Sequence, residues 1–216
     1  MEIKLIENLH FDEQLLCNSF GKAARPFMRQ GDLDGACAIY SLMMMLILNK
    51  KVKRSELESR GKGKGYTSSR RLQDEFLGSI PGLYKKGFHF GAIAEKLHSS
   101  YGKIANATVF DESSMDKAQL HEKIKEVLDG GKPVEVGFTF KGGTSGHAVV
   151  AVGYISYKTR IQLLCFDPAY ELPCNAFWNS IIDIETDLPN KVYSDAYCKP
   201  DSKVESVHVD EILIID

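Results

Sequence analysis

The chain has 216 residues, 44% of them hydrophobic and 26% charged, with a formal net charge of −2. This profile excludes a disordered chain, a collagen and a small disulfide scaffold, and at roughly 150 residues per domain it fits one catalytic-sized domain over residues 1–216. With 27 basic and 29 acidic side chains, the average surface offers no electrostatic footprint for nucleic acid or an anionic membrane.

The N-terminal Met1-Glu2-Ile3-Lys4 lacks the basic, apolar, small-residue order of a secretory signal. Five cysteines, an odd and scattered set, do not make a disulfide framework, so the expectation is a reducing, cytoplasmic setting. Residues Ile3 to Ile6 predict a short strand, followed by a small apolar cluster around Leu15, Leu16 and Phe20. From Gly35 to Leu48 the chain is apolar on every face, which predicts a helix buried on all sides, with Asp32 or Asp34 as its N-cap. The run falls short of the roughly 20 residues needed to span a bilayer.

Residues 50–71 form the one basic patch, Gly-rich and solvated, with a single short helix around Ser55 to Ser59. Helical patterns follow at about Ser68 to Leu77, Phe90 to Ser99 and Met115 to Asp129, the last closed by Gly130-Gly131. After Gly131 the texture changes to short β-branched or aromatic runs: Pro133 to Phe140, Gly146 to Tyr157, Arg160 to Phe166, Phe177 to Ile184 and Val207 to Ile215. Helices first and strands second, without βαβ alternation, predict an α+β fold, helical over about 1–131 and β-sheet over 132–216.

A cysteine at the first turn of a helix meets free backbone N–H groups and the positive end of the helix dipole, and both favour thiolate. Cys37 occupies such a place in Gln30-Gly-Asp-Leu-Asp-Gly-Ala-Cys37-Ala-Ile-Tyr-Ser41. Its own N–H and the Gln30 side-chain amide are two candidate donors to an oxyanion. A nucleophilic thiol needs a base, and the base needs an orienting acceptor. His147 begins the strand Gly146-His-Ala-Val-Val-Ala-Val-Gly-Tyr154, and the next strand ends in Phe166-Asp167-Pro168. A hairpin centred near Tyr157 would set residues 147 and 167 directly opposite one another.

Cys37-Ala-Ile-Tyr-Ser opening a buried helix, with Gln30-Gly31 upstream and Gly-His-Ala-Val-Val-Ala-Val-Gly-Tyr downstream, resembles the cysteine and histidine blocks of the papain-like cysteine peptidases. The Phe-Asp-Pro ending resembles the bacterial branch, which includes peptidases that trim bacteriocin leader peptides. The resemblance implies a helical left lobe around the cysteine helix, an antiparallel β right lobe carrying the histidine, and a cleft between them. It implies Cys37 as nucleophile, His147 as general base and acid, Asp167 as orienter and Gln30 as oxyanion donor. The implied reaction is peptide-bond hydrolysis through a thioester on a protein or peptide substrate, without metal or organic cofactor. The sequence departs from papain in three places: Gln30 lies one residue further from the cysteine, Ala38 replaces an aromatic residue, and Asp167-Pro168-Ala169 replaces Asn-Ser-Trp. With 36 residues ahead of Cys37, no long inhibitory propeptide is expected before the cysteine block.

Alternative readings remain open on the same residues. The triad would equally serve a deamidase, a transglutaminase or another acyltransferase, and the fold could persist as a non-catalytic binding domain docking through 50–71. A lone cysteine in an apolar helix is ordinarily a small buried hydrophobe, and Cys17, Cys165, Cys174 and Cys198 are read that way. Without a Cys-x-x-Cys pair no zinc site is expected. Met43-Met44-Met45 reads as core, and His10, His89, His98, His121 and His208 have no assigned partners. Asp32 and Asp34 either cap the helix or line the cleft and favour a basic substrate residue.

Overall fold

The computed structural model describes residues 2–31, 36–58, 72, 89–143, 145–186 and 192–216. The chain opens with β1 (Glu2–Leu5), then the short strands β2 (Leu9–Asp12), β3 (Gln14–Ser19) and β4 (Lys22–Ala24), which pair only with each other. Helices α1 (Cys37–Leu48) and α2 (Arg54–Glu58) follow. Helix α3 (Phe90–Lys96) widens into a π-turn at Leu97–Tyr101, and β5 (Ala107–Asp111) leads into α4 (Lys117–Asp129). The remainder is β6 (Val134–Phe140), β7 (Gly146–Ser156), β8 (Arg160–Phe166), β9 (Ser180–Glu185), β10 (Asp195–Cys198) and β11 (Val204–Ile215).

Strands β7, β6, β11, β10, β9 and β8 pair antiparallel in that order, and β8 pairs back to β7, so the six close into a barrel. Two long strands make the closure possible. β7, of 11 residues, also carries β1 at its far end, and β11, of 12 residues, also carries β5. Each long strand has a register shift, between Ala151 and Gly153 and between Val209 and Glu211; such bulges bend and twist a strand enough for a small barrel to close.

Helix α1 lies against β7 and β6 with ten of its twelve residues buried, as its unbroken apolar run requires. Met43, Met44 and Met45 are fully buried core. Each such side chain taken from water contributes roughly 1.5–3 kcal/mol. Helix α4 buries Leu120, Ile124 and Leu128 at four-residue spacing, and Asp116 with Gln119 forms a reciprocal capping box. At Gly153 the backbone of β1 passes so close that a Cβ would stand 2.3 Å from the carbonyl oxygen of Lys4 and 3.0 Å from Leu5 Cα. Neither backbone atom can yield without breaking the β1–β7 ladder. Gly153→Ala should therefore cost about 2 kcal/mol, read as a drop in Tm of roughly 4–8 °C; an unchanged Tm would show that β1 is loosely held.

Two expectations need revision. The N-cap of α1 is Ala36, with no side-chain cap, and Asp32 and Asp34 lie outside the described residues. The helix-first order holds only in part, because β1 to β5 all precede Gly131. Apart from β1, expected at Ile3 to Ile6, these strands are short, and their alternation is too weak to stand out from loop sequence. The helix expected at Ser68 to Leu77 lies outside the described residues apart from Leu72, which is buried. Within the basic stretch, Arg54 donates to the carbonyls of Arg25 and Phe27 and bonds Glu58, and Lys51 donates to the Asp216 carbonyl. These cations are occupied within the fold.

Candidate active site

Cys37 is the first residue of α1. One turn later Ser41 donates its hydroxyl to the Ala148 carbonyl at 3.3 Å, tying the N-terminal end of the helix to the strand that carries His147. No acidic side chain occupies the first turn, and the positive end of the helix favours the thiolate. The thiol is partly exposed, hydrogen-bonds the His147 ring, and receives the backbone N–H groups of Ala148 and Ala38. Burial pushes the Cys37 thiol up, but the His147 contact and the two N–H groups outweigh it and hold the thiol below its ordinary value.

His147 Nε2 lies 2.8 Å from Asp167 Oδ1, which leaves Nδ1 as the ring nitrogen for Cys37. Burial lowers the imidazole's proton affinity, yet the Asp167 carboxylate and the Cys37 sulfur raise it further, so that His147 is pushed up to about 10. Thiol down and imidazole up are the two halves of one thiolate–imidazolium pair. The edges and faces of Phe138 and Tyr197 flank the ring at centroid distances of 5.6 and 6.0 Å, keeping water from the pair and strengthening its attraction.

The His147–Asp167 contact does not arise from the simple hairpin. The two-residue connection at Lys158-Thr159 is closed by the Tyr157 N–H to the Arg160 carbonyl, and β7 and β8 pair Ser156 with Ile161 and Val150 with Phe166. Continuing that register puts Asp167 opposite Val149 rather than His147. Residues 147 and 149 share a strand face, so Asp167 reaches His147 as a diagonal neighbour. A slip of one residue would have turned the histidine away.

Asp167 is fully buried and saturated with donors. Oδ1 accepts from His147 and, at 2.8 Å, from the Ala169 N–H, while Oδ2 accepts the Tyr197 hydroxyl. Asn179 clamps the turn: it accepts the Asp167 N–H at 2.7 Å and donates to the carbonyls of Asp167 and Tyr170 at 2.9 and 3.2 Å. Tyr197 and Asn179 lie far along the chain in no recognisable motif, and composition carried no signal for either. Tyr197→Phe removes one donor and leaves Oδ2 buried without a partner, for which we expect a loss of about 1–3 kcal/mol in unfolding free energy. Chemical denaturation that shows no change would mean that water replaces the hydroxyl.

Gln30 is drawn to the same turn, its N–H donating to the Pro168 carbonyl at 2.9 Å, and Arg29 pairs with Glu171 at 2.7 Å. The Gln30 side-chain oxygen is buried without a hydrogen-bond partner. Gln30 is not part of the wall of the cleft, of about 420 Å³, that Cys37, Ala38, His147 and Ala148 border. The structure thus brings Cys37, His147 and Asp167 into contact and sets Gln30 beside the Asp167 turn.

The other cysteines are free: Cys17 and Cys165 buried, Cys174 exposed and Cys198 partly exposed. Burial pushes Cys17 up to about 11 and raises Cys165 and Cys198 as well. Among the described residues no group of three or more His, Cys, Asp or Glu side chains is placed to hold a metal ion, and no helix is long and apolar enough to cross a membrane.

Residues 23–183 fit a family model described as Peptidase_C39 like family, a span that takes in α1, β7, β8 and every residue of the site except Tyr197. No match to a curated protein is found.

Proposed function

The chain belongs to the Peptidase_C39 like family, and from that premise we propose that it hydrolyses peptide bonds through a Cys37–His147–Asp167 triad and a thioester acyl-enzyme. The observation that carries the reading is the Cys37 thiol in hydrogen-bond contact with a histidine that is itself held by a buried carboxylate. The Cys37 thiolate attacks the substrate carbonyl carbon, forming the C–S bond and moving the carbonyl electron pair onto oxygen. The N–H of Cys37 and the side-chain amide of Gln30 are the proposed donors to that oxyanion. The intermediate collapses as His147 gives its proton to the departing amine. Water then attacks the thioester, His147 takes its proton, and the C–S bond breaks to return the thiolate.

The role of Gln30 is supported by its anchorage to Pro168 beside the triad. The contact between Cys37 and His147 speaks against a non-catalytic descendant, which has no need to keep a thiol and an imidazole paired. The substrate class proposed is a protein or peptide, and the Phe-Asp-Pro ending of β8 supports a relation to the bacterial leader-trimming peptidases. Five free cysteines are in keeping with a reducing, cytoplasmic setting for this enzyme.

Proteome-wide mapping of new N-termini tests the reading. Termini produced by wild type and absent with Cys37→Ala are expected. A one-unit mass gain on Gln or Asn without chain cleavage would replace peptidase by deamidase.

A further inference from the structure

The wall of the cleft that faces Cys37 carries four carboxylates, and among the described residues no Lys or Arg borders it. Three of the four are engaged locally. Asp111 Oδ1 accepts from the Ser113 N–H and hydroxyl at 3.0 and 2.6 Å, Glu112 pairs with His208, and Asp210 accepts the Thr139 hydroxyl. Glu211 differs: the backbone N–H of Phe90 bonds it, and among the described residues no side chain does.

Its position is built by the fold. In a regular strand residues 210 and 211 would face opposite sides, but the bulge in β11 between Val209 and Glu211 lets both border the cleft. Glu211 lies across Gly137, where a Cβ would stand 2.7 Å from its Cγ and 3.2 Å from Oε1. The missing side chain on β6 is what gives the carboxylate room. Strand pairing sets Asp111, Glu211, Gly137 and Ala148 in one row across β5, β11, β6 and β7. With strands about 4.8 Å apart, Glu211 stands about 10 Å from Ala148, whose N–H binds the sulfur, a distance a lysine or arginine side chain on a bound peptide can bridge. Behind Gly137 on the same face of β6 is Glu135, fully exposed to neither solvent nor partner: it is completely buried with both carboxyl oxygens unpaired.

We propose that Glu211 is a specificity-determining residue, receiving a lysine or arginine side chain that flanks the carbonyl attacked by Cys37. The inference rests on the peptidase reading above. Among the described residues this half-buried carboxylate has acids and no Lys or Arg beside it, and a cationic substrate side chain supplies the countercharge. The titratable groups around it are Asp210 on its own strand, Asp111 on β5, Glu135 on β6 and Cys37 on α1, with His89 at the start of α3. Burial first and then Asp210 and Asp111 push the Glu211 carboxyl up to about 7. A bound cation favours the ionised form, so selectivity for it grows as pH rises through that value.

The test is the rate at which Cys37 is alkylated by dipeptidyl chloromethyl ketones carrying lysine or norleucine at the first or second residue from the ketone, with iodoacetamide as the control. Intact mass and peptide mapping at pH 6 and pH 8 supply the readout. At one of the two positions the lysyl reagent should react at least about tenfold faster than the norleucyl one, by a larger factor at pH 8 than at pH 6. In Glu211→Gln that ratio should fall to near one. Equal rates on a Cys37 that iodoacetamide still labels, or a preference that survives Glu211→Gln, would overturn the cation site and leave the peptidase reading standing. A Cys37 inert to every reagent would overturn both. Labelling needs no peptide cleavage, so a protein that prefers the lysyl reagent but cleaves no peptide would support the site while counting against hydrolysis.

Discussion

Cys37→Ala is expected to bring peptide hydrolysis down to background, a loss of at least about 1,000-fold in kcat/KM, while changing unfolding free energy by no more than about 1 kcal/mol. The asymmetry follows from the position of the sulfur. It stands at the mouth of the cleft and is only partly covered, so its removal opens no dry cavity, yet nothing else in the cleft can form the thioester. Cys37→Ser should be nearly as inactive, because a hydroxyl in the same place does not ionise beside His147. The same pairing predicts the pH dependence. Cys37 sits below its ordinary value and His147 at about 10, so the thiolate–imidazolium form fills the window between them. Iodoacetamide should therefore label Cys37 faster at pH 7 than it labels an unperturbed thiol, which with a pKa of about 8.5 is only a few per cent ionised there. Equal labelling of all five cysteines, or hydrolysis by the alanine variant, would contradict the assignment of the nucleophile.

For Asp167→Asn the expected loss in kcat/KM is about 10²–10⁴-fold, although an amide has almost the shape of a carboxylate. Asp167 receives three donors: the His147 Nε2–H, the Ala169 N–H and the Tyr197 hydroxyl, divided between its two oxygens. An amide accepts at one oxygen only. If that oxygen faces His147 and Ala169, the amide nitrogen meets the tyrosine, whose hydroxyl can turn to accept, but the charge that holds the imidazolium is gone. If the amide turns over, two donors meet two donors in a fully buried place. In either orientation His147 falls from about 10 towards its ordinary value, and the Cys37 thiol rises as its cationic partner is lost. The active window therefore narrows from both sides. The pH profile of kcat/KM reads this directly, because hydrolysis needs the imidazolium proton for the departing amine; an alkaline limb that stays near 10 in the variant would show that Asp167 does not hold the histidine proton.

The helices and strands that the sequence announces are those whose residues see one environment along their whole length. The apolar run of α1, the glycine close of α4 and the β-branched stretches of β6, β7, β8 and β11 all lie close to where their patterns put them. The short strands β2 to β5 and β10 escaped notice, since strands of three to six residues owe their conformation to a neighbour's ladder more than to their own alternation. Cys37, His147 and Asp167 were legible because each stands at the end of such a well-marked element. Glu135, Tyr197, Asn179 and Glu211 were not, because nothing in their local sequence shows which neighbours the barrel brings to them. Glu135 sits in a strand of otherwise apolar residues and reads as a surface position, but β6 is covered on both faces.

The amino-acid sequence by itself determined a globular α+β chain, a thiol at the head of a buried helix, and a histidine and an aspartate at the ends of adjacent strands. These are consequences of local pattern, chain connectivity and side-chain chemistry. The tertiary structure decided the rest. A shifted register turned a direct pair into a diagonal one, and barrel closure brought Tyr197 onto Asp167. The bulge in β11, set against a glycine on β6, turned Glu211 into the cleft. All three depend on a register shift or on sheet closure, and such non-local choices are made by the packing of the whole barrel rather than by any segment of it.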